Sequence, residues 1–203
     1  MATMAISAEM VKQLRDKTGA GMMECKAALT EANGNMDEAM TLLRKRGLAQ
    51  AAKRAGRATA QGSIGSYIHM GGKIGVLVEV NCESDFVART EDFNNLVKDV
   101  AMHIAAASPR WVRREEVPGA EIEKEKSIYR AQMEKENKPA NVLEKIIEGK
   151  LGSFYSQFVL LDQPYIRDDK ITVSQLVAQA SAKTGENIQI NRFVRFRVGE
   201  SNE

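Results

Sequence analysis

Few side chains in this sequence are suited to chemistry of their own. It holds two histidines, His69 and His103, and two cysteines, Cys25 and Cys82. Neither histidine has a neighbouring Cys, His or carboxylate at metal-ligand spacing, and the cysteines lack the CxxC arrangement of a zinc or redox motif. The adjacent carboxylates Glu115-Glu116 and Asp168-Asp169 read as solvated loop surface. Gly62-Ser-Ile-Gly65 and Gly71-Gly72 punctuate apolar stretches without leading into a helix N-terminus, so they are poor phosphate cradles. There is no Walker A loop, dinucleotide fingerprint, nucleophile elbow or HExxH motif. This inventory disfavours an enzyme, predicts no cofactor, and leaves binding as the chemistry to look for.

Binding chemistry concentrates in Asn81-Cys-Glu-Ser-Asp-Phe-Val-Ala-Arg89. Ser84 can cap a short turn, Asp85 brings a charge, and Phe86 and Val87 follow with apolar bulk. Phe86 admits two readings: a core side chain beneath the next helix, or an exposed aromatic on a loop held by rigid elements and suited to insertion into a partner. Met22 and Met23, beside Gly19-Ala20-Gly21, divide the same way between bundle core and soft exposed contact. From Arg44 to Arg57 there are six basic residues and no acidic one. That run is either a solvated helical connector or an electrostatic patch. It lacks an aromatic to stack a base, which disfavours direct nucleic-acid binding.

Elements that can position these groups are visible in the apolar spacing. Ser7 caps a helix carrying Met10, Val11 and Leu14, which Thr18-Gly-Ala-Gly21 stops; Cys25, Ala28, Leu29 and Ala32 mark a second helix. Asn33-Gly34-Asn35 leads to a third, from about Asp37 to Arg46, with Ala39, Leu42 and Leu43 inward. The period then changes to two. Ser63 to Met70 and Lys73 to Asn81 flank a two-residue Gly71-Gly72 turn, with Ile74, Val76, Val78 and Val80 alternating. Ile188 to Val198 is the candidate third strand. Thr90 caps a helix whose buried face is Phe93, Val97, Val100 and Ile104 and which ends before Pro109. A charged segment and an apolar-striped one, joined at Asn137-Lys138-Pro139, predict an antiparallel helical hairpin over about 120–155. A last helix is expected from Thr172 to Lys183.

The predicted fold class is therefore α+β. A three-helix N-terminal domain with its basic linker spans 1–54, and a core domain spans 55–203, with a three-stranded antiparallel sheet, packed helices and a projecting helical hairpin. In 203 residues, 29 Lys plus Arg oppose 27 Asp plus Glu, and 43% of residues are hydrophobic, as in an ordinary chain able to fold. No stretch approaches 18 consecutive apolar residues, the start lacks a signal-peptide pattern, and the cysteines are far apart. The expected location is cytoplasmic, without membrane contact.

Glu79-Val-Asn-Cys-Glu-Ser-Asp-Phe-Val-Ala-Arg89 closely resembles the "TDFV" signature of the bacterial elongation factor Ts family, with Ser84 where the family usually has Thr. Leu14-Arg-Asp-Lys-Thr-Gly-Ala-Gly-Met-Met-Glu-Cys-Lys-Ala-Ala-Leu29 resembles that family's N-terminal signature, and Ala101-Met-His-Ile-Ala-Ala106 and Phe193-Val-Arg-Phe-Arg-Val-Gly-Glu200 are similar too. The resemblance implies a guanine nucleotide exchange factor that binds elongation factor Tu and releases GDP, with an N-terminal domain similar to ubiquitin-associated domains. It implies that Ser84, Asp85, Phe86 and Val87 disturb the partner's Mg²⁺ site, that Leu14, Arg15, Met22 and Met23 supply a second contact, and that His69 is a further candidate contact. It also implies the short class with one core module, in which two chains pair as a homodimer or a two-to-two complex.

Overall fold

Ser7 opens α1 (Ala8–Thr18) by accepting from the Met10 N–H at 3.2 Å, and Val11 and Leu14 turn inward. α2 (Met22–Glu31) buries Cys25, Ala28 and Leu29 against them. Asn35 caps α3 (Met36–Arg54), its side-chain oxygen accepting from the N–H groups of Asp37 and Glu38. The computed structural model describes residues 6–69, 71–133 and 140–200, with backbone alone at 140 and 141. The third helix does not stop near Arg46. It runs to Arg54, so most of the expected basic linker is helix, with Ala51 buried on its inner side.

β1 (Gln61–His69) and β2 (Ile74–Cys82) form the expected hairpin, and β5 (Ile188–Arg197) completes a three-stranded antiparallel sheet in the order β1-β2-β5. The fold is α+β. The second strand begins at Ile74 rather than at Lys73, whose N–H instead donates to the His69 carbonyl at 3.1 Å. Gly71 and Gly72 both have positive φ, +63° and +90°, a conformation nearly free of cost only for glycine. Residue 70, expected to end the first strand, lies outside the described residues.

The sheet's two faces differ. Val76, Val78 and Val80 are buried, while α5 (Glu91–Ala107) contributes Leu96, Val97, Val100, Ala101 and Ile104 to the core. Helix and strand approach so closely that a Cβ on Gly65 would lie 2.2 Å from Val97 Cγ1. The opposite face is open. Ile64 and Ile68 of β1, Leu77 of β2, and Val194 and Phe196 of β5 are exposed. The imperfect alternation of the last strand has a specific cause. Arg195 takes an inward position, its guanidinium donating to the Ala105 carbonyl at 3.4 Å, while Phe196 faces out and is 55% exposed.

α6 (Gly119–Met133) and α7 (Ala140–Phe158) run back along each other. Ile122 packs with Phe154 and Tyr155, and Met133 packs with Ile147 and Leu151. The expected junction at Asn137-Lys138-Pro139 lies outside the described residues. β3 (Pro164–Tyr165) and β4 (Asp168–Thr172) form a small antiparallel pair before α8 (Val173–Thr184).

Two compact units result: 1–62 with 81–94 and 177–189, and 63–80 with 95–176 and 190–203. Within the first unit, the end of α3 is bonded to residues at and beyond the end of α8. Arg54 donates to the Ser181 carbonyl at 3.3 Å, and Asn187 Nδ2 donates to the carbonyls of Ala55 (3.2 Å) and Arg57 (2.8 Å). Those bonds tie the end of α3 to the far end of α8.

Candidate partner-binding site

The polar segment after β2 becomes α4 (Asp85–Ala88), a single helical turn. One turn cannot hold itself, because nucleation fixes several residues for one hydrogen bond. Its flanks therefore decide its orientation. Ser84 is the N-cap, its Oγ accepting from the Val87 N–H at 3.3 Å. After the turn, Thr90 Oγ1 donates to the Val87 carbonyl (2.8 Å) and accepts from the Phe93 N–H (3.3 Å) as the cap of α5. Asn94 Nδ2 donates to the carbonyls of Ala88 and Thr90.

Phe86 stands on this braced turn with 77% of its surface exposed, so of its two readings the core one is excluded. Asp85 is exposed beside it and pairs with Arg89 at 2.8 Å, a surface pair contributing little stability. Val87 is different. It is buried in the free chain, where it anchors the turn from beneath. In the same unit Arg15 is exposed, and Met22 and Met23 are 51% and 77% exposed, outside the bundle core. Leu14, like Val87, is buried in the free chain, packed with Cys25, Ala28 and Leu29. His69 belongs to the other unit, where it is exposed at the end of β1, its ring stacked on Tyr67 at 5.7 Å with the Tyr67 hydroxyl 3.0 Å from Nδ1.

Residues far along the chain hold the loop. The N–H groups of Glu83 (3.1 Å) and Ser84 (3.0 Å) donate to Glu186 Oε2, and the Ser84 hydroxyl donates to Glu186 Oε1 at 2.6 Å. In return, Glu83 Oε1 accepts from the Asn187 N–H at 2.6 Å and pairs with Arg57 at 3.4 Å. The Cys82 thiol donates to the Ser84 carbonyl at 3.1 Å; burial, then the charge of Glu186, pushes its pKa up, so it stays a thiol. Sequence reasoning missed Glu186 and Asn187, because nothing local marks two polar residues after Gly185 as partners of a loop 102 positions away.

Several arginines have protein partners: Arg46 and Arg57 of the basic run pair with Glu31 and Glu83, and elsewhere Arg114 pairs with Asp162 and Arg192 with Glu79. Among the described residues, no cluster of three or more His, Cys, Asp or Glu side chains is arranged to hold a metal, and no helix is long and apolar enough to cross a membrane.

The sequence matches the family described as Elongation factor TS over residues 2–200. It is 61% identical over 197 residues to Elongation factor Ts of Fervidobacterium nodosum, covering 97% of this chain and 100% of that one. Elongation factor Ts of an Anaeromyxobacter species (strain Fw109-5) is 60% identical, over 98% of this chain and 90% of the relative. That of Thermosipho melanesiensis is 58% identical, over 96% and 100%. A match of this extent, on a chain that exposes Phe86 on its capped turn, places the protein in the elongation factor Ts family.

Proposed function

We propose that this protein is a guanine nucleotide exchange factor that binds elongation factor Tu and releases its GDP, acting by binding and making or breaking no covalent bond. The observation that carries this reading is Phe86, a large aromatic held in solvent on a turn fixed from both sides. A monomeric surface gains nothing from such an arrangement, whereas an interface does, because Phe orders only two torsions while burying a large apolar area. Phe86 and Asp85 would enter the partner near its Mg²⁺ and phosphate site. Arg15, Met22 and Met23 would hold the two proteins together through a docking face on the N-terminal bundle, and His69 would add a peripheral contact.

Exchange of this kind follows from linkage. A protein that binds the nucleotide-free GTPase more tightly than the GDP-bound one lowers the GTPase's affinity for GDP by the same factor. The open sheet face around Ile64, Ile68, Leu77 and Phe196 fits a second copy of the chain, giving a homodimer or a two-to-two complex in the cytoplasm. The decisive experiment is the rate of GDP release from purified elongation factor Tu with and without this protein. Acceleration that saturates with added factor is expected; an unchanged rate overturns the reading.

A further inference from the structure

We propose that Glu186 is the positioning residue of the exchange loop: it grips Ser84 and so sets the direction in which α4 presents Phe86. This rests on the reading of Phe86 as the inserting group. Phe86 has almost no packing of its own, so its direction is inherited from the backbone of α4. That backbone is held at Ser84, where the structure commits every polar group. The N–H and the hydroxyl both donate to Glu186, and the carbonyl accepts from the Cys82 thiol and from the Ala88 N–H.

The chemistry of the hydroxyl makes the carboxylate specific. A serine hydroxyl has one proton and two lone pairs. By taking the proton at 2.6 Å, Glu186 turns the lone pairs toward the turn, where one accepts the Val87 N–H that caps α4. An acceptor-only group is required for that orientation, and a carboxylate is one. The grip is also braced. The Ser181 hydroxyl donates to the Glu186 carbonyl, and Asn187, next in sequence, is buried with its amide bound to Ala55 and Arg57. Glu83 closes the loop from the other side through the Asn187 N–H.

The test compares the full-length wild type with Glu186→Ala, Glu186→Gln, Phe86→Ala and the double variant Glu186→Ala/Phe86→Ala. Each is titrated against GDP-loaded elongation factor Tu, and thermal unfolding is measured in parallel. Glu186→Ala is expected to lower the maximal stimulated rate roughly tenfold to a hundredfold, as misplacement by about 1 Å does, with the half-saturating concentration little changed. Glu186→Gln keeps an oxygen for the two N–H donors but turns an amide N–H toward the Ser84 hydroxyl, so its rate should fall between those of Glu186→Ala and wild type. In the Phe86→Ala background, Glu186→Ala should cost nothing further, since both act through one side chain.

A multiplicative loss in the double variant, or a Glu186→Ala rate at the wild-type level, overturns the positioning role. So does a loss that only tracks the unfolded fraction. A wild-type protein that leaves GDP release unaltered overturns the underlying exchange reading instead.

Discussion

His103 Nε2 lies 2.9 Å from Gln163 Oε1 with both side chains buried, and His103 Nδ1 accepts the Ile166 N–H at 3.3 Å. The ring is therefore neutral, with its proton on Nε2, and a second proton would point Nδ1–H at another N–H. The Tyr165 ring lies 6.1 Å away, and the carboxylate of Asp99, on the same helix, is paired with Arg167. Burial lowers the His103 pKa from the ordinary 6.5, and the Gln163 bond offsets part of that.

Because the folded value lies below the unfolded one, the unfolded chain binds the extra proton first as pH falls. The stability held above about pH 6.5 is then lost on acidification, down to the lowered folded value. Urea unfolding between about pH 7.5 and 5 should show a slope that His103→Asn flattens by up to about 1.4 kcal/mol per pH unit. Equal slopes in the two proteins would show that His103 does not carry the effect.

Phe86→Ala should separate stability from function. With the side chain exposed, truncation should move stability by no more than about 0.5 kcal/mol. Loss of an aromatic anchor at an interface costs about 2 kcal/mol or more, so stimulated GDP release should fall at least about thirtyfold. Stopped-flow release of a fluorescent GDP beside a thermal melt checks both halves. A large drop in melting temperature with normal exchange by the folded fraction would contradict the insertion role.

How much was legible in sequence follows from how local each signal is. Phe93, Val97, Val100 and Ile104 give α5 a stripe at helical spacing, and Ser7 and Thr90 announce their helices because a cap acts within three residues. The direction of Phe86 was not legible, since four residues of helix have no period to read and Glu186 sets the turn from across the chain. The strand at the end of the chain was legible, but which of its side chains face solvent was not, for a related reason. Apolar Phe196 faces solvent because Arg195 reaches inward to the Ala105 carbonyl, an exchange of positions that hydropathy alone scores the wrong way round. Likewise Leu14 and Val87 lie within motifs that resemble binding signatures, yet their role in the fold is to fill the core beneath the residues that are exposed.

On the N-terminal bundle, Met23→Ala and Leu14→Ala should diverge. Met23 is exposed, so its truncation should leave the melting temperature unchanged while weakening binding to elongation factor Tu by about fivefold to tenfold. Leu14 is wholly buried, so its truncation should cost about 2–5 kcal/mol of bundle stability. Point variants are preferable to deleting residues 1 to 54, because Arg54 joins α3 to the end of α8 within one unit. Calorimetric titration with the GTPase and circular dichroism melts decide it; equal affinity for Met23→Ala and wild type would remove the docking role of that face.

Phe196 tests assembly. Its neighbours on the open sheet face, Ile64, Ile68, Leu77 and Val194, are all exposed, and an apolar sheet face left bare attracts a partner of the same kind. In the homodimer proposed above, a second copy would cover it with two-fold symmetry, each face burying the other in an aligned sandwich. Phe196→Asp places a charge in the middle of such an interface, where burial without a partner costs several kcal/mol, but in the free chain it only replaces a side chain already in solvent. Sedimentation at micromolar concentration should therefore report twice the 22.4 kDa chain mass for the wild type and the single chain mass for Phe196→Asp, with unchanged circular dichroism. A wild-type protein sedimenting at 22.4 kDa, or a variant that still pairs, would show that the open face serves something other than a second copy. Neither Cys25 nor Cys82 is exposed or disulfide-bonded, so the dimer should also survive reducing agent.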